Sequence, residues 1–166
     1  MASNAGFISV QVDIDEAMKV FDGLDKGQNT IRRHLLAGIG TSAKNRAKTY
    51  SKTLIHKRSG ALYKSFKRKI VKSGKAAIIE AKARAANQVF YGYALAKGAT
   101  IKAKHSDYLT FQIDGKWVKK KEVKLPARDY ITEPVKKYID SAECKLQMEK
   151  LVQREINKLE KKGIIV

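Results

Sequence analysis

From Ala17 to Tyr50 the apolar residues recur as Ala17, Phe21, Leu24, Ile31, Leu35, Ile39, Ala43, Ala47 and Tyr50. At about 100° per residue these stay on one stripe, the mark of a long amphipathic helix that must bury one face. Gly23, Gly27, Gly38 and Gly40 weaken it, so the spacing predicts two pieces parted near Gly27. Ahead of the stripe, FISVQVDI (7–14) alternates: Ile8, Val10, Val12 and Ile14 on one side, Phe7, Ser9, Gln11 and Asp13 on the other. That is a strand with one buried face. Asp15 then suits a helix cap, and Glu16 lies where the helix dipole favours an acid.

After the helix, RSGALYKSF (58–66) reads as a short second helix capped by Ser59. Residues 67–83 read as a hairpin turning at Ser73 and Gly74, with Ile70, Ile78 and Ile79 in β-compatible runs. Residues 90–104 run from Phe90 through Gly92 and Gly98 into a strand, followed by YLTFQID (108–114), a turn at Asp114 and Gly115, and KWVKKKEVKL returning. One edge of that hairpin is apolar and the other is dense in lysine. Pro126, lacking an amide hydrogen, ends it.

Thr132 is placed to cap a C-terminal helix with Pro134 in its first turn. Val135, Ile139, Ala142 and Leu146 make one stripe, and Met148, Val152, Ile156 and Leu159 a second, rotated by about a quarter-turn. Either the helix breaks near Leu146, or its second half packs on another chain. The expectation is an α+β fold: an antiparallel sheet of about four to five strands against a long N-terminal helix, closed by a C-terminal helix. Residues 1–166 read as one domain with a core over roughly 7–146. Residues 147–166 read as a helical extension at an inter-subunit contact, with Leu151, Val152, Ile156 and Leu159 as its contact residues.

Apolar residues at 43% and charged ones at 31% describe a folded composition. No run nears the roughly 18 apolar residues of a membrane span, and the N-terminus has no leader pattern. A lone cysteine, Cys144, fits a reducing cytosol. His34, His56 and His105 lie in separate elements without metal-ligand spacing, and Cys144 has no histidine near it in sequence. No phosphate-binding glycine loop or nucleophile elbow occurs, so no catalytic residue, metal or cofactor is assigned.

The net charge of +19 is unevenly placed: residues 40–124 hold 22 basic groups against four acidic ones. A polyanion should meet that part of the chain. The DNA-facing candidates are Lys67, Arg68, Lys69, Lys102, Lys104, Lys116, Lys119, Lys120, Lys121 and Lys124, with Lys64, Lys72 and Lys75 nearby. Phosphate contacts of this kind attract without reading sequence. Tyr63, Phe66, Tyr108 and Trp117 interleave with them as stacking platforms for RNA, although their periods favour core packing.

Three short segments then carry a resemblance. Ser59-Gly60-Ala61-Leu62-Tyr63-Lys64-Ser65, Tyr93-Ala94 followed by Gly98, and Leu125-Pro126-Ala127-Arg128-Asp129-Tyr130-Ile131 stand in this order ahead of a last helix. Together they resemble the tail-completion, or head–tail joining, proteins of tailed bacteriophages. The resemblance implies a non-enzymatic virion protein, present in the host cytoplasm during assembly. It would form a hexameric ring in the neck, between connector or adaptor and tail-tube or tail-terminator proteins, with the genome passing through its lumen. On that reading Arg128 and Tyr130 are further inter-subunit candidates. Arg128 either makes a bidentate ion pair at such a contact or pairs within the domain with Asp129 or Glu133. The alternative is a basic nucleic-acid-binding accessory protein associated with RNA or the ribosome.

Overall fold

The computed structural model describes residues 8–12, 14–24, 27–55, 60–71, 74–83, 91–113 and 115–165. Phe7, Asp13, His56, Ser59, Lys72, Ser73, Phe90 and Asp114, each given a part in the sequence reading, lie outside the described residues. The fold is α+β, and every strand pairing among the described residues is antiparallel.

Strand β1 (Ile8–Val12) leads into the one-turn helix α1 (Asp15–Met18), which tightens into a 3-10 turn at Lys19–Phe21. The break falls where the glycine foretold it: Gly27, at φ +98°, precedes the long helix α2 (Gln28–Leu54). Asp15 is not a cap. It lies inside α1 and forms an ion pair with Arg32 of α2, bracing the break. Helix α3 (Ala61–Ser65) follows, then β2 (Phe66–Ile70) and β3 (Ala77–Ala81), joined by a turn in which Gly74 takes φ +68°. Strand β3 is central, pairing Val12 and Ile70 with Ala77, and Ile8 and Phe66 with Ala81.

The stripe on α2 packs against this sheet, burying Ile31, Leu35, Leu36, Ile39, Ala43 and Ala47 beside Val12 and Ile79. The glycines that weaken the helix on paper are what let it pack closely. A Cβ on Gly40 would stand 3.1 Å from that of Ala77 on β3, and one on Gly38 would stand 2.5 Å from Cδ1 of Leu151. The helix therefore tolerates a propensity cost of about 1 kcal/mol per glycine to approach its neighbours.

Helix α4 (Tyr91–Lys97) leads through Gly98 into β4 (Ala99–Lys102), β5 (Leu109–Ile113), β6 (Lys116–Lys120) and β7 (Glu122–Leu125). The expected sheet of four to five strands is divided. Strand β4 pairs with β7 as a stem and β5 with β6 as a hairpin tip, separate from the β1-β3-β2 sheet. The single returning strand expected over 116–125 is interrupted at Lys121, whose carbonyl accepts from the Ala103 amide where stem meets tip.

The C-terminal segment is two helices, α5 (Thr132–Ile139) and α6 (Ala142–Glu160), and the first stripe is split between them: Val135 and Ile139 lie on α5, Ala142 and Leu146 on α6 with the whole second stripe. The break is at Asp140 and Ser141, ahead of Leu146. Ser141 is extended there (ψ 150°), and its hydroxyl accepts from the Cys144 amide. Thr132 is not the cap of α5. The carboxylate of Asp129 accepts from the Ile131 and Thr132 amides at 3.2 and 2.7 Å. Helix α6 lays one face on the core of its own chain, with Leu159 buried in it and Met148, Leu151, Val152 and Ile156 packed against it.

Candidate functional site

The three segments behind the resemblance are remote in sequence and meet at the base of the β4–β7 arm. Gly92 of α4 is their junction: a Cβ there would lie 2.9 Å from the Tyr130 hydroxyl, 3.6 Å from Cδ1 of Leu62 and 3.7 Å from the Ala81 carbonyl. Tyr130 donates its hydroxyl to the Gly92 carbonyl at 2.9 Å and sets its ring edge-on to Phe66, centroids 6.0 Å apart. The Arg128 amide donates to the carbonyls of Leu95 and Ala96 at 3.1 Å. Gly98 turns the chain at φ +76° in a slot where a Cβ would lie 3.0 Å from the Ala127 nitrogen and the Leu125 carbonyl. On the first segment Gly60 takes φ +72°, Leu62 is buried and Ser65 donates to the Leu62 carbonyl at 2.7 Å. Tyr93 is exposed and Ala94 half-buried, while Pro126 and Ala127 lie on the surface.

This corrects one of the inter-subunit candidates and gives a second a contact within its own chain. Tyr130 is fully buried within its own chain, and its phenol is pushed above the ordinary range by burial first, then by Tyr91 and Asp129. Arg128 pairs with neither Asp129 nor Glu133. Its Nη1 donates to the Leu54 carbonyl at 2.9 Å, satisfying one of the open acceptors at the end of α2. Along α6, Leu159 is buried, and Leu151, Val152 and Ile156 are half-buried against the core of the same chain. Gly38 makes this possible by letting Leu151 sit on the α2 backbone.

The basic residues divide into two surfaces. Lys67 and Lys69 are exposed on the outer side of β2. Arg68, expected with them, points the other way: its stem lies over Gly40, and its Nη1 is buried with no hydrogen-bond partner among the described residues. Strand parity held that signal, since Arg68 alternates in phase with Phe66 and Ile70. Lys102, Lys104, Lys116, Lys119, Lys120, Lys121 and Lys124 are all exposed on the arm, and among the described residues only Lys102 of these forms an ion pair, with Glu122 at 3.9 Å.

The aromatics divide too. Tyr63 and Phe66 are buried, but Tyr108 and Trp117 stand out at 48% and 71% exposure. No described residue from 99 to 125 belongs to the core cluster or packs against it. Sequence reasoning missed this projection. The available sign was that Lys116, Lys119 and Lys120 leave neither face of β6 wholly apolar.

Cys144 is buried, and burial, the leading influence, pushes its thiol upward, away from the reactive thiolate. Among the described residues no group of three or more His, Cys, Asp or Glu is placed to hold a metal. No described helix is long and apolar enough to cross a membrane. Comparison with family models, with curated proteins and with solved structures finds no match to this chain.

Proposed function

We propose that this chain is a structural virion protein of a tailed bacteriophage, a subunit of the ring in the neck that joins the connector to the tail tube around the DNA passage. The observation that carries the reading is the convergence of the three resembling segments on Gly92 and Gly98, where they fix the base of a lysine-rich arm. Such an arm suits a passage for DNA. Exposed lysines attract phosphates in any sequence and release them readily, without base-reading contacts that would arrest a moving duplex.

The test is capture of the tagged chain from a phage lysate with nuclease and about 0.5 M salt, which shortens the screening length to roughly 4 Å. Connector, portal or tail-tube proteins in the eluate support the neck. The second reading, a nucleic-acid-binding accessory protein, draws on Tyr108 and Trp117 exposed among the lysines, where bases stack. It is favoured if only ribosomal or RNA-processing proteins are captured, or if nothing survives nuclease.

A further inference from the structure

The tip of the arm is built as though something covers it. A two-stranded hairpin on its own is marginal in water, yet β5 and β6 pair chiefly with each other and add nothing to the core. Register separates their faces. Leu109, Phe111, Ile113 and Val118 share one with Lys116 and Lys120, while Trp117 and Lys119 share the other with Thr110 and Gln112. Trp117 is the most exposed large apolar side chain among the described residues, at 71%. Indole is the side chain most often found as the buried anchor of a protein contact.

A matching recess lies on the core. Between the end of β1, α1 and the α5–α6 corner is an open groove of about 730 Å³ with a floor of Val12, Ile14, Ile39, Ile139 and Met148. Glu16 and Glu149 stand on its rim, in a chain whose net charge is +19. Neither carboxylate is in an ion pair among the described residues, and neither is Lys119. Lys145 also lines the groove, so acids outnumber bases there with Asp15 held by Arg32. The arm has the opposite excess, with seven lysines between residues 99 and 125 against Asp107, Asp114 and Glu122.

We infer that the groove receives the arm of a second copy of this chain, with Trp117 on the apolar floor and Lys119 against Glu149 on the rim. The two surfaces are different patches of the molecule, so the contact is head-to-tail, and a constant rotation closes it into a ring. A five-residue strand rising about 3.3 Å per residue carries the tip roughly 16 Å beyond the stem. Each subunit in a closed ring is then held twice, by its arm and by its groove. The inference rests on the ring reading above and gives it a specific joint. Stem lysines such as Lys102 and Lys124 are left for the lumen.

The chain has a single tryptophan, so its emission reports this site alone. Purified full-length protein is followed over a concentration series by sedimentation velocity and by Trp117 emission. The expected result is a blue shift that tracks assembly. Trp117→Ser should weaken association at least about thirty-fold. Lys119→Glu should weaken it as well, and adding Glu149→Lys should restore it, which a merely misfolded variant would not do. Assembly with Trp117 still in water, or assembly undiminished in Trp117→Ser, overturns the docking and leaves the ring standing. A monomer whose emission is already blue places the arm in its own groove and overturns the inference. So does a chain monomeric at every concentration, or one whose Trp117 responds only to added DNA. The lysate capture then reports separately on the neck.

Discussion

Replacing Gly40 with alanine tests the idea that α2 is held close to the sheet by missing side chains. Two effects oppose each other. Alanine is the better helix former by about 1 kcal/mol at a helix-interior position. Against this, the new methyl would stand 3.1 Å from Cβ of Ala77 and 3.0 and 3.2 Å from Cδ and Cγ of Arg68. Ala77 is fully buried on the central strand, paired with both Val12 and Ile70, so it cannot retreat alone. The Arg68 stem can move only by carrying a guanidinium whose Nη1 is already buried without a partner among the described residues. Overpacking of this kind costs about 1–3 kcal/mol. The expected net effect of Gly40→Ala is a destabilisation of about 1 kcal/mol. It would be read as a lower urea midpoint by circular dichroism with an unchanged m-value. Gly38→Ala is the internal comparison. Its closest neighbour is the terminus of the half-buried Leu151 on α6, 2.5 Å away, which can change rotamer. The propensity gain should roughly cancel that cost and leave stability near the wild type. A Gly40→Ala protein at least as stable as wild type, with m unchanged, would refute the reasoning. The sheet would then yield at Ala77, and close approach would not be what keeps glycine there.

Gly98→Ala should cost about 2 kcal/mol or more, because a left-handed residue is penalised and the new methyl meets the Ala127 nitrogen and Leu125 carbonyl at 3.0 Å; thermal denaturation would show it. Trp117→Ala should change monomer stability by less than about 0.5 kcal/mol, and Leu35→Ala should cost about 2–5 kcal/mol, a contrast that measures how separate the arm is from the core. Glu155 supplies a pH dependence. Burial, its largest influence, pulls the carboxyl upward. The hydrogen bonds and charges of Lys158 at 2.6 Å and His34 at 3.3 Å together outweigh it and hold the pKa below the ordinary value. A depressed folded value means stability fully present above the unfolded carboxyl's value, about 4.3, and lost as pH falls through the folded one. Glu155→Gln should therefore flatten the loss of stability below about pH 4.3, and an unaltered acid limb in urea titrations would remove this carboxylate from the account.

Much of this protein was written locally. The period of the Ala17–Tyr50 stripe, the break at Gly27, the turns at Gly74 and Gly115, the end of the arm at Pro126 and the crowding of charge into residues 40–124 all follow from residues read a few at a time. They survive folding because backbone chemistry and helical or strand period act over one or two turns. The helix break the sequence offered does occur, but at Asp140 and Ser141 and not near Leu146, so that Ala142 and Leu146 share α6 with the second stripe and lie exposed.

Tertiary structure decided what covers each face. Alternation states which residues share a side of a strand, never whether that side meets the core or water. Trp117 is therefore in solvent, and Arg68 is turned inward over Gly40. Gly38 and Gly40 looked like flaws until α6 and β3 were seen lying against them. Tyr130 stood as an inter-subunit candidate until Gly92 supplied a carbonyl for its hydroxyl from 38 residues away. Asp129 took the capping role expected of Thr132 because the geometry of the turn chooses among neighbouring oxygens. Sequence alone determined where the elements lie and how charge runs along them. The surfaces through which this chain meets its partners are set by which distant elements leave a face uncovered, and that is a property of the packed molecule.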